Sequence, residues 1–226
     1  MSKKIKLGVL FSGGKDSCYA AYLAKQDGYE ICCLITIVSE NEDSFMFHTP
    51  SINCVKKQAD IMGIPLVFVE TPGKKEKELL DLKKAIKIAI KKYKIKGIVT
   101  GAVESVYQSL RVQTICNDLK IECFNPLWKK NQVELLKELV KNKFEIIITG
   151  VAAYPLDVSW ILRKIDNKFV LDVSRLAEKY KLNPAGEGGE FESLVLNCPL
   201  LKRKLRVIGF KTSGSGNAFR SEVMLG

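Results

Sequence analysis

The stretch Ile5-Lys6-Leu7-Gly8-Val9-Leu10-Phe11-Ser12-Gly13-Gly14-Lys15-Asp16-Ser17 decides the fold of this chain. Its apolar first half predicts a buried strand, and residues 16–26 behind it predict a helix. A glycine turn at such a junction directs backbone N–H groups and the positive end of the helix dipole toward one point. The two glycines leave the backbone open to close approach, and the serines and the lysine beside them are donors. The pattern predicts a phosphate-binding loop; the alternative is a tight turn that only joins the two elements.

The spacing excludes two commoner phosphate loops. A Walker loop needs Ser or Thr after Gly-Lys and a further glycine upstream, but Asp16 follows Lys15 and Val9 stands at the upstream position. A dinucleotide-binding fingerprint needs Gly-x-Gly-x-x-Gly, which an adjacent glycine pair does not supply. The loop resembles the pyrophosphate loop of the ATP pyrophosphatase superfamily, whose members cleave ATP between the α- and β-phosphates.

Composition indicates an ordinary globular protein of one large or two modest domains. The chain has 226 residues, of which 46% are hydrophobic and 27% charged. No apolar run approaches the roughly 18 residues of a membrane span, and the N-terminus does not read as a signal peptide. The seven cysteines are odd in number and form no Cys-x-x-Cys, which is typical of buried or free thiols in a reducing compartment. We therefore expect a cytoplasmic protein without a membrane partner.

The net charge of +11 is concentrated in one predicted helix. Residues 74–96 hold ten lysines and three acids, which is +7 of the total. One face of this helix is apolar and the opposite face is basic. The apolar face consists of Leu79, Leu82, Ile86, Ile90 and Tyr93, and the basic face consists of Lys77, Lys84, Lys87 and Lys91. A solvated helix face is favoured over an RNA-binding surface. A polyanionic or acidic partner remains open.

Strand and helix patterns alternate in the first half of the chain. The predicted strands are 5–11, 31–38, 65–70, 97–101 and 121–124, and the predicted helices are 16–26, 51–62, 74–94 and 105–119. This alternation predicts an α/β fold, a five-stranded parallel sheet with helices on both faces, over residues 1–124. Ligands of such sheets bind at the carboxyl ends of the strands. The loops after the first, second and fourth strands are therefore expected to line one site.

A domain boundary is expected near Asn125-Pro126, followed by a smaller α+β domain over residues 125–226. Its predicted helices are 131–141 and 172–181, and its predicted strands are 145–151, 193–197 and 203–210. The last dozen residues, with Ser213-Gly214-Ser215-Gly216, are predicted to be flexible because of their Gly and Ser content.

Two loops of the first domain carry candidate binding residues. The loop after the second strand holds His48, the only histidine, which suits a proton shuttle or a phosphate donor, or alternatively caps a helix near Ser51. After the fourth strand, Gly101 would admit a nucleotide close to the strand end. Gln108 and Arg111 share a helix face, either as phosphate contacts or as an ordinary surface pair.

The segment Gly186-Glu187-Gly188-Gly189-Glu190-Phe191-Glu192 is the sharpest feature of the second domain. Three glycines predict a loop of special backbone geometry, and three carboxylates could hold Mg²⁺ or attract an ammonium ion or a cationic substrate. The alternative is a solvated acidic loop. The sequence identifies no set of metal ligands.

With these residues in view, the chain resembles the diphthine–ammonia ligase family, a branch of the ATP pyrophosphatases on an adenine-nucleotide α-hydrolase-like fold. The resemblance runs from about Ile5 to Leu201. It rests on Ser12–Ser17, Val38–Asn41, Met46–His48, Thr100–Ala102, Tyr107, Gln108, Arg111, Asn125–Trp128 and Gly186–Glu192. The chain departs from the family pattern at Pro155 and Leu162, where glycines are expected.

The resemblance implies that diphthine on translation elongation factor 2, ATP and ammonium give diphthamide, AMP and pyrophosphate, through an acyl-adenylate and with Mg²⁺. It implies that Lys15 neutralises charge on the departing pyrophosphate and that Glu187, Glu190 and Glu192 act on the acceptor and ammonium side. The nucleotide-binding residues it implies are Ser12, Gly13, Gly14, Lys15, Asp16, Ser17, Ile37, His48, Gly101, Ala102, Gln108 and Arg111. Two other hypotheses remain open: a tRNA-modifying enzyme that adenylates a base oxygen, and a nucleotide sensor without turnover.

Overall fold

The structure is a computed structural model that describes residues 4–39, 52–72 and 75–226, with the backbone alone at 75–77. The strands are β1 (Lys6–Leu10), β2 (Glu30–Ser39), β3 (Leu66–Thr71), β4 (Gly97–Val99), β5 (Glu122–Phe124), β6 (Glu145–Val151), β7 (Phe191–Asn197), β8 (Val207–Ser215) and β9 (Ala218–Leu225). The helices are α1 (Lys15–Gln26), α2 (Ile52–Met62), α3 (Lys75–Tyr93), α4 (Val106–Asp118), α5 (Gln132–Lys141) and α6 (Asn167–Tyr180), with a 3₁₀ turn at Val158–Trp160.

Strands β1 to β5 form a parallel sheet in the order β3-β2-β1-β4-β5. The chain first moves from β1 outward to β3 and then returns past β1 to β4 and β5. Right-handed crossovers therefore place α1 and α2 on one face of the sheet and α3 and α4 on the other. The predicted five-stranded parallel sheet with helices on both faces is confirmed. The strand order reverses between β1 and β4, which is where such sheets bind ligands.

Helix α3 packs on the sheet through the apolar face that the periodicity predicts. Leu82, Ile86 and Ala89 are fully buried in a core with side chains of β2, β4 and α4. Burying each large apolar side chain stabilises the fold by about 1.5–3 kcal/mol. Lys87 and Lys91 on the other side of the helix are exposed. The basic side of α3 is therefore exposed, which both a solvated helix face and an RNA-binding surface require.

Strands β6 to β9 form a second, antiparallel sheet in the order β7-β6-β9-β8. With α5 and α6 it makes the predicted smaller α+β part of the chain. Helix α6 begins at Asn167 and not at the predicted residue 172, because Asp166 caps it by accepting a 2.8 Å hydrogen bond from the N–H of Phe169. The strand predicted at 203–210 begins at Val207.

The prediction of a flexible C-terminus is wrong, because β8 and β9 form a hairpin. Ser213 pairs with Arg220 and Ser215 with Ala218, so the Gly- and Ser-rich segment is the turn end of a two-stranded ladder. Gly214 has a φ of 137°, and a Cβ there would meet the carbonyl oxygen of Ala218 at 2.1 Å. Glycine is used at position 214 for close backbone approach within the hairpin and not for flexibility.

Two compact units make up the chain. One comprises Met1–Ser12 with Asp16–Trp128, and the other comprises Gly13–Lys15 with Lys129–Gly226. The phosphate loop of the sequence therefore contributes residues to both units, and each unit is described separately below. Across the described part of the chain, no helix combines the length and apolar character needed to cross a membrane.

Candidate functional site

The first unit holds the two ends of the phosphate loop, at the carboxyl end of β1. The hydroxyls of Ser12 and Ser17 lie 3.2 Å apart, and Ser17 Oγ accepts a 3.3 Å hydrogen bond from the N–H of Ser12. Gly101 approaches the same turn from the end of β4. A Cβ on Gly101 would meet the backbone carbon of Asp16 and the nitrogen of Ser17, each at 2.8 Å. Only glycine allows this approach, which brings the loops after β1 and β4 together as predicted.

The second unit holds the centre of the phosphate loop against strand β7. The N–H of Val195 donates to the carbonyl of Gly13 at 3.1 Å, and the N–H of Lys15 donates to Ser193 Oγ at 3.2 Å. The ammonium group of Lys15 lies 5.5 Å from the centroid of the Phe191 ring, close enough for a cation–π contact. Lys15 is 3% exposed. Strand β7 therefore holds both the backbone and the side chain of the loop lysine.

The loop after β4 is held by polar contacts around Thr100. Thr100 Oγ1 donates to Asn125 Oδ1 at 2.5 Å and accepts a 3.3 Å hydrogen bond from the N–H of Ala102. The backbone N–H of Thr100 donates to the carbonyl of Phe124 at 2.9 Å. Asn125 follows β5, so the neighbouring strand end fixes the position of Gly101 and Ala102.

Helix α4 carries Gln108 and Arg111 in its first turns. Ser105 caps the helix, because its side chain accepts a 3.3 Å hydrogen bond from the N–H of Gln108. The Arg111 guanidinium lies over the Tyr107 ring, 3.4 Å from its centroid. Both Gln108 and Arg111 are half-buried. Gln108 and Arg111 lie three residues apart on α4, and contact of either side chain with a nucleotide stays a prediction.

Two further predicted binding residues follow the second strand. Ile37 is 3% exposed, and its side chain packs in the core while β2 continues to Ser39. Only the backbone of Ile37 is therefore suited to contact an adenine. His48 lies outside the described residues.

Glu190 is the most buried carboxylate of the acidic loop, which comprises Gly186–Glu192. It is 7% exposed, and its Oε1 accepts hydrogen bonds from the backbone N–H of Asn183 at 2.8 Å and from Asn183 Nδ2 at 2.7 Å. Its Oε2 accepts a 2.8 Å hydrogen bond from the N–H of Gly188. The predicted loop with special backbone geometry is present, because Gly186 and Gly189 have φ values of 78° and 86°.

Glu192 and Glu187 are less enclosed than Glu190. The side chain of Glu192 is 27% exposed, and its Oε2 lies 3.9 Å from Arg220 Nε. Glu192 pairs across the sheet with Gly150, where a Cβ would meet Glu192 Oε2 at 3.2 Å. Glu187 is half-buried in the turn itself. The three glutamates therefore occupy three different environments, which the sequence pattern did not distinguish.

The described residues do not build a metal site by themselves. No group of three or more His, Cys, Asp or Glu side chains in that part of the chain is arranged to hold a metal ion. Mg²⁺ at nucleotide sites is held by one or two carboxylates together with substrate phosphates and waters, so Mg²⁺ bound with ATP stays a prediction.

Sequence reasoning missed several residues that hold the site. Phe191 and Ser193 contact Lys15, and Thr100 holds Asn125 and Ala102. Residues 191, 193 and 195 alternate along β7, so the period of a strand indicates that they share a side. The alternation along β7 predicts that these three residues share one side of the strand, but it does not predict which loop that side contacts.

Comparison with known proteins gives consistent matches over most of the chain. The model of the diphthamide synthase N-terminal domain matches residues 5–123, and that of the C-terminal domain matches residues 131–218. Proteins named diphthine–ammonia ligase from Rattus norvegicus and Homo sapiens are each 32% identical over 224 residues, covering 90% of this chain and 83% of theirs. A solved structure described as a predicted subunit of a tRNA methyltransferase from Methanocaldococcus jannaschii is 20% identical. Its TM-score is 0.47, with 88% of this chain and 99% of that chain covered, and so distant a likeness carries no functional argument.

Proposed function

We propose that this chain, which belongs to the diphthamide synthase family, uses ATP and ammonium to convert the carboxylate of diphthine on elongation factor 2 into an amide. The products are diphthamide, AMP and pyrophosphate, and the enzyme is a ligase that forms a C–N bond. The main support is that two features occur in one chain. The phosphate loop after β1 lies in the matched N-terminal domain, and the acidic loop before β7 lies in the matched C-terminal domain.

The chemistry requires activation of the carboxylate, because its oxygen is a poor leaving group. One carboxylate oxygen attacks the α-phosphorus of ATP, the bond between the α- and β-phosphates breaks, and pyrophosphate leaves with the bonding electrons. Ammonium loses one proton to become ammonia, which attacks the acyl carbon. AMP then leaves with the original carboxylate oxygen, and a second proton is lost from nitrogen to give the neutral amide. Positioning and charge neutralisation dominate such catalysis.

We assign the nucleotide to the residues around the phosphate loop. Residues 12–17 bind the β- and γ-phosphates, since a glycine turn at a helix N-terminus favours anions. Lys15 neutralises charge on the departing pyrophosphate. Gly101 and Ala102 contact the ribose and the α-phosphate, an assignment supported by the close approach of Gly101 to the backbone of Asp16 and Ser17 in the phosphate loop. Ile37 contributes backbone to the adenine, and the assignment also includes His48, Gln108 and Arg111.

We assign the acceptor side to residues 125–226, with Glu187 and Glu192 as the groups that receive ammonium. A carboxylate attracts the ammonium ion and can take its proton before the attack on the acyl carbon. Both side chains retain some solvent exposure, which such a role requires. Residues 1–124 then form the nucleotide domain.

The decisive experiment mixes the chain with ATP, Mg²⁺, isotopically labelled ammonium and diphthine-bearing elongation factor 2, followed by mass analysis of the acceptor. The expected product carries the label in the diphthine side chain, with AMP released in equal amount. An unlabelled acceptor, or release of ADP with orthophosphate, contradicts the proposal. Lys15→Ala is expected to lose both products, whereas Lys25→Ala, an exposed lysine at the end of α1, is the matched control.

A second candidate is a tRNA-modifying enzyme that adenylates a base oxygen, favoured by the exposed lysines 84, 87 and 91 of α3. Such an enzyme would bind tRNA with an affinity that falls steeply with salt and with the loss of those lysines. The absence of measurable tRNA binding by the unaltered chain at low salt would remove this candidate.

A further inference from the structure

We propose that Glu190 is a positioning residue and that Glu190, Asn183 and Gln132 form a lock that holds the acidic loop in its working shape. The inference rests on the proposed function, since it concerns the loop assigned to the acceptor and to ammonium. It separates Glu190 from its two neighbours Glu187 and Glu192, although the sequence presents the three as equivalent.

The carboxylate of Glu190 is already engaged by donors of its own loop. It receives three hydrogen bonds of 2.7 to 2.8 Å, two from Asn183 and one from the N–H of Gly188. A carboxylate offers about four lone-pair positions, so little capacity is left for a substrate. Hydrogen bonds to an ionised group are about twice as strong as neutral ones. Glu190 is also buried, which keeps its donors from being replaced by water.

The lock extends from Glu190 to helix α5 through side-chain amides. Asn183 Oδ1 accepts a 3.1 Å hydrogen bond from Gln132 Nε2, and Gln132 Oε1 accepts a 3.0 Å hydrogen bond from the N–H of Ala185. Gln132 is 8% exposed at the start of α5. The side-chain amides of Asn183 and Gln132 therefore each donate one hydrogen bond through nitrogen and accept one through oxygen. Only one orientation of each amide satisfies the whole hydrogen-bond network.

The backbone of Glu190 ties the same loop to the sheet. Its carbonyl accepts a 2.9 Å hydrogen bond from the N–H of Ala152, just after β6. Within the loop, the N–H of Gly186 donates to Asn183 O at 2.9 Å, and that of Gly189 donates to Gly186 O at 3.1 Å. The turn that carries Glu187 is thus closed at both ends. Its shape depends on the buried carboxylate that follows it.

Gly188 offers a way to open the lock without changing any of its polar groups. A Cβ on Gly188 would lie 2.7 Å from Asn183 Nδ2 and 2.8 Å from Glu190 Oε1. Gly188→Ala must therefore push the two side chains apart, while the carboxylate of Glu190 stays in the protein. The carboxylate of Glu190 is still present as a proton acceptor in this variant, whereas its hydrogen bonds to Asn183 are expected to break.

The test compares Glu190→Gln, Asn183→Ala and Gly188→Ala in the amidation assay, with Glu178→Gln as an exposed control of the same charge change on α6. Each lock variant is expected to lower kcat/KM for the acceptor roughly 10- to 100-fold, the range for losing a hydrogen bond to a charged group. The KM for ATP is expected to change by less than about threefold, because the loss is on the acceptor side. The double variant Glu190→Gln/Asn183→Ala is expected to be no worse than the poorer single one, since both break one unit.

The pH dependence of amidation distinguishes a positioning role of Glu190 from a role as a general base. Free ammonia increases with pH, so a variant that lacks the base recovers activity as the pH rises. The deficit of Glu190→Gln is expected to stay constant from neutral to mildly alkaline pH, whereas that of Glu187→Gln or Glu192→Gln shrinks. Wild-type activity in Gly188→Ala, or a Glu190→Gln deficit that disappears at alkaline pH, overturns the proposal.

Hydrogen exchange gives a readout that does not depend on the reaction. The backbone amides of Asn183 and Gly188 are expected to exchange faster in Glu190→Gln than in wild type, while those of α6 keep their rates. Unchanged exchange rates at the amides of Asn183 and Gly188 in Glu190→Gln would overturn the proposal that Glu190 holds this loop in shape. If wild type forms no amide yet exchange responds in this way, the proposed function fails and the lock stands. If Glu190→Gln does not fold, Asn183→Ala and Gly188→Ala provide the same comparison.

Discussion

The backbone N–H of Lys15 donates a hydrogen bond to the hydroxyl of Ser193 at a distance of 3.2 Å, although 178 residues separate them in sequence. The neighbouring pair extends this contact, since the N–H of Val195 donates to the carbonyl of Gly13 at 3.1 Å. The phosphate loop is therefore more than a turn between β1 and α1. Its centre is anchored on β7, the strand that begins within the acidic loop.

Replacing Ser193 by alanine removes the side-chain acceptor for the Lys15 N–H. We expect the KM for ATP in ATP–pyrophosphate exchange to rise about 3- to 10-fold, which corresponds to a net hydrogen bond of roughly 0.5–1.5 kcal/mol. Ser193→Thr keeps the hydroxyl and is expected to stay near wild type. Ser174→Ala is the matched control, because that hydroxyl bonds only to Val170 O in its own helix. An unchanged KM in Ser193→Ala would show that the anchor is unimportant for the nucleotide.

Gly101→Ala tests the close approach of the loop after β4 to the start of α1. The added methyl group would lie 2.8 Å from backbone atoms of Asp16 and Ser17, and backbone cannot move aside as a flexible side chain does. We expect ATP binding, measured by calorimetry, to weaken at least roughly tenfold, with a loss of stability of about 1–3 kcal/mol from overpacking. Gly209→Ala in β8, where the Cβ would meet the flexible end of the Met224 side chain at 2.5 Å, is the matched control and is expected to retain the affinity. Wild-type affinity in Gly101→Ala would contradict the assignment of this loop to the nucleotide.

The cysteines are expected to differ in their pH dependence of alkylation. Burial, followed by the Glu30 carboxylate, raises the pKa of Cys32 to about 11, so its thiol stays protonated at neutral pH. The Cys116 thiol donates a hydrogen bond to Cys123 and holds the pKa of Cys123 below its ordinary value, while the pKa of Cys116 is raised. Because thiolates are the reactive form, Cys123 should be alkylated before Cys32 at pH 7 to 8.

Mass mapping of alkylated peptides across a pH series checks this order. The rate at Cys32 is expected to rise steadily up to about pH 11, and that at Cys123 to level off earlier. Cys116→Ala removes the donor and should move the Cys123 profile to higher pH. Equal rates at Cys32 and Cys123 throughout the series would refute the prediction.

The ion pair of Glu145 with Lys204 is expected to make stability depend on pH in the acid range. The hydrogen bond from Lys204 lowers the pKa of Glu145 below its ordinary value. A carboxyl whose pKa is lower in the folded state stabilises the fold above its unfolded pKa, and the contribution is lost as the pH falls through the folded value. Both side chains are more than a third exposed, so solvent screening limits the effect to at most about 1 kcal/mol.

Lys204→Gln is therefore expected to unfold at slightly lower denaturant concentration than wild type at pH 7. The difference in unfolding midpoint between Lys204→Gln and wild type should disappear as the pH drops below about 4, the ordinary range of glutamate. The same difference should also become smaller in high salt. Lys202→Gln, an exposed neighbour, is the charge control. A gap that persists at acid pH would mean that Lys204 stabilises the fold through packing and not through charge.

Much of the first unit could be predicted because its signals are local. The strand–loop–helix order around Ser12–Ser17, the alternation that gives a parallel sheet, and the apolar face of α3 all follow from periods of two and 3.6 residues. The C-terminal hairpin could not be predicted in the same way. Its Gly and Ser content resembles a flexible tail, and only the pairing of β9 with β6 and β8 gives those residues a fixed place.

By itself, the sequence determined that a glycine loop with a lysine follows the first strand of a parallel sheet and that a glycine-rich acidic loop lies far downstream. These conclusions depend on short-range backbone preferences, which a few neighbouring residues suffice to express. The tertiary structure alone decided that Ser193 anchors Lys15 and that the carboxylate of Glu190 turns inward to Asn183 and Gly188. The physical reason is that hydrogen-bond partners in loops are chosen by the packing of distant segments, and no local propensity carries that information.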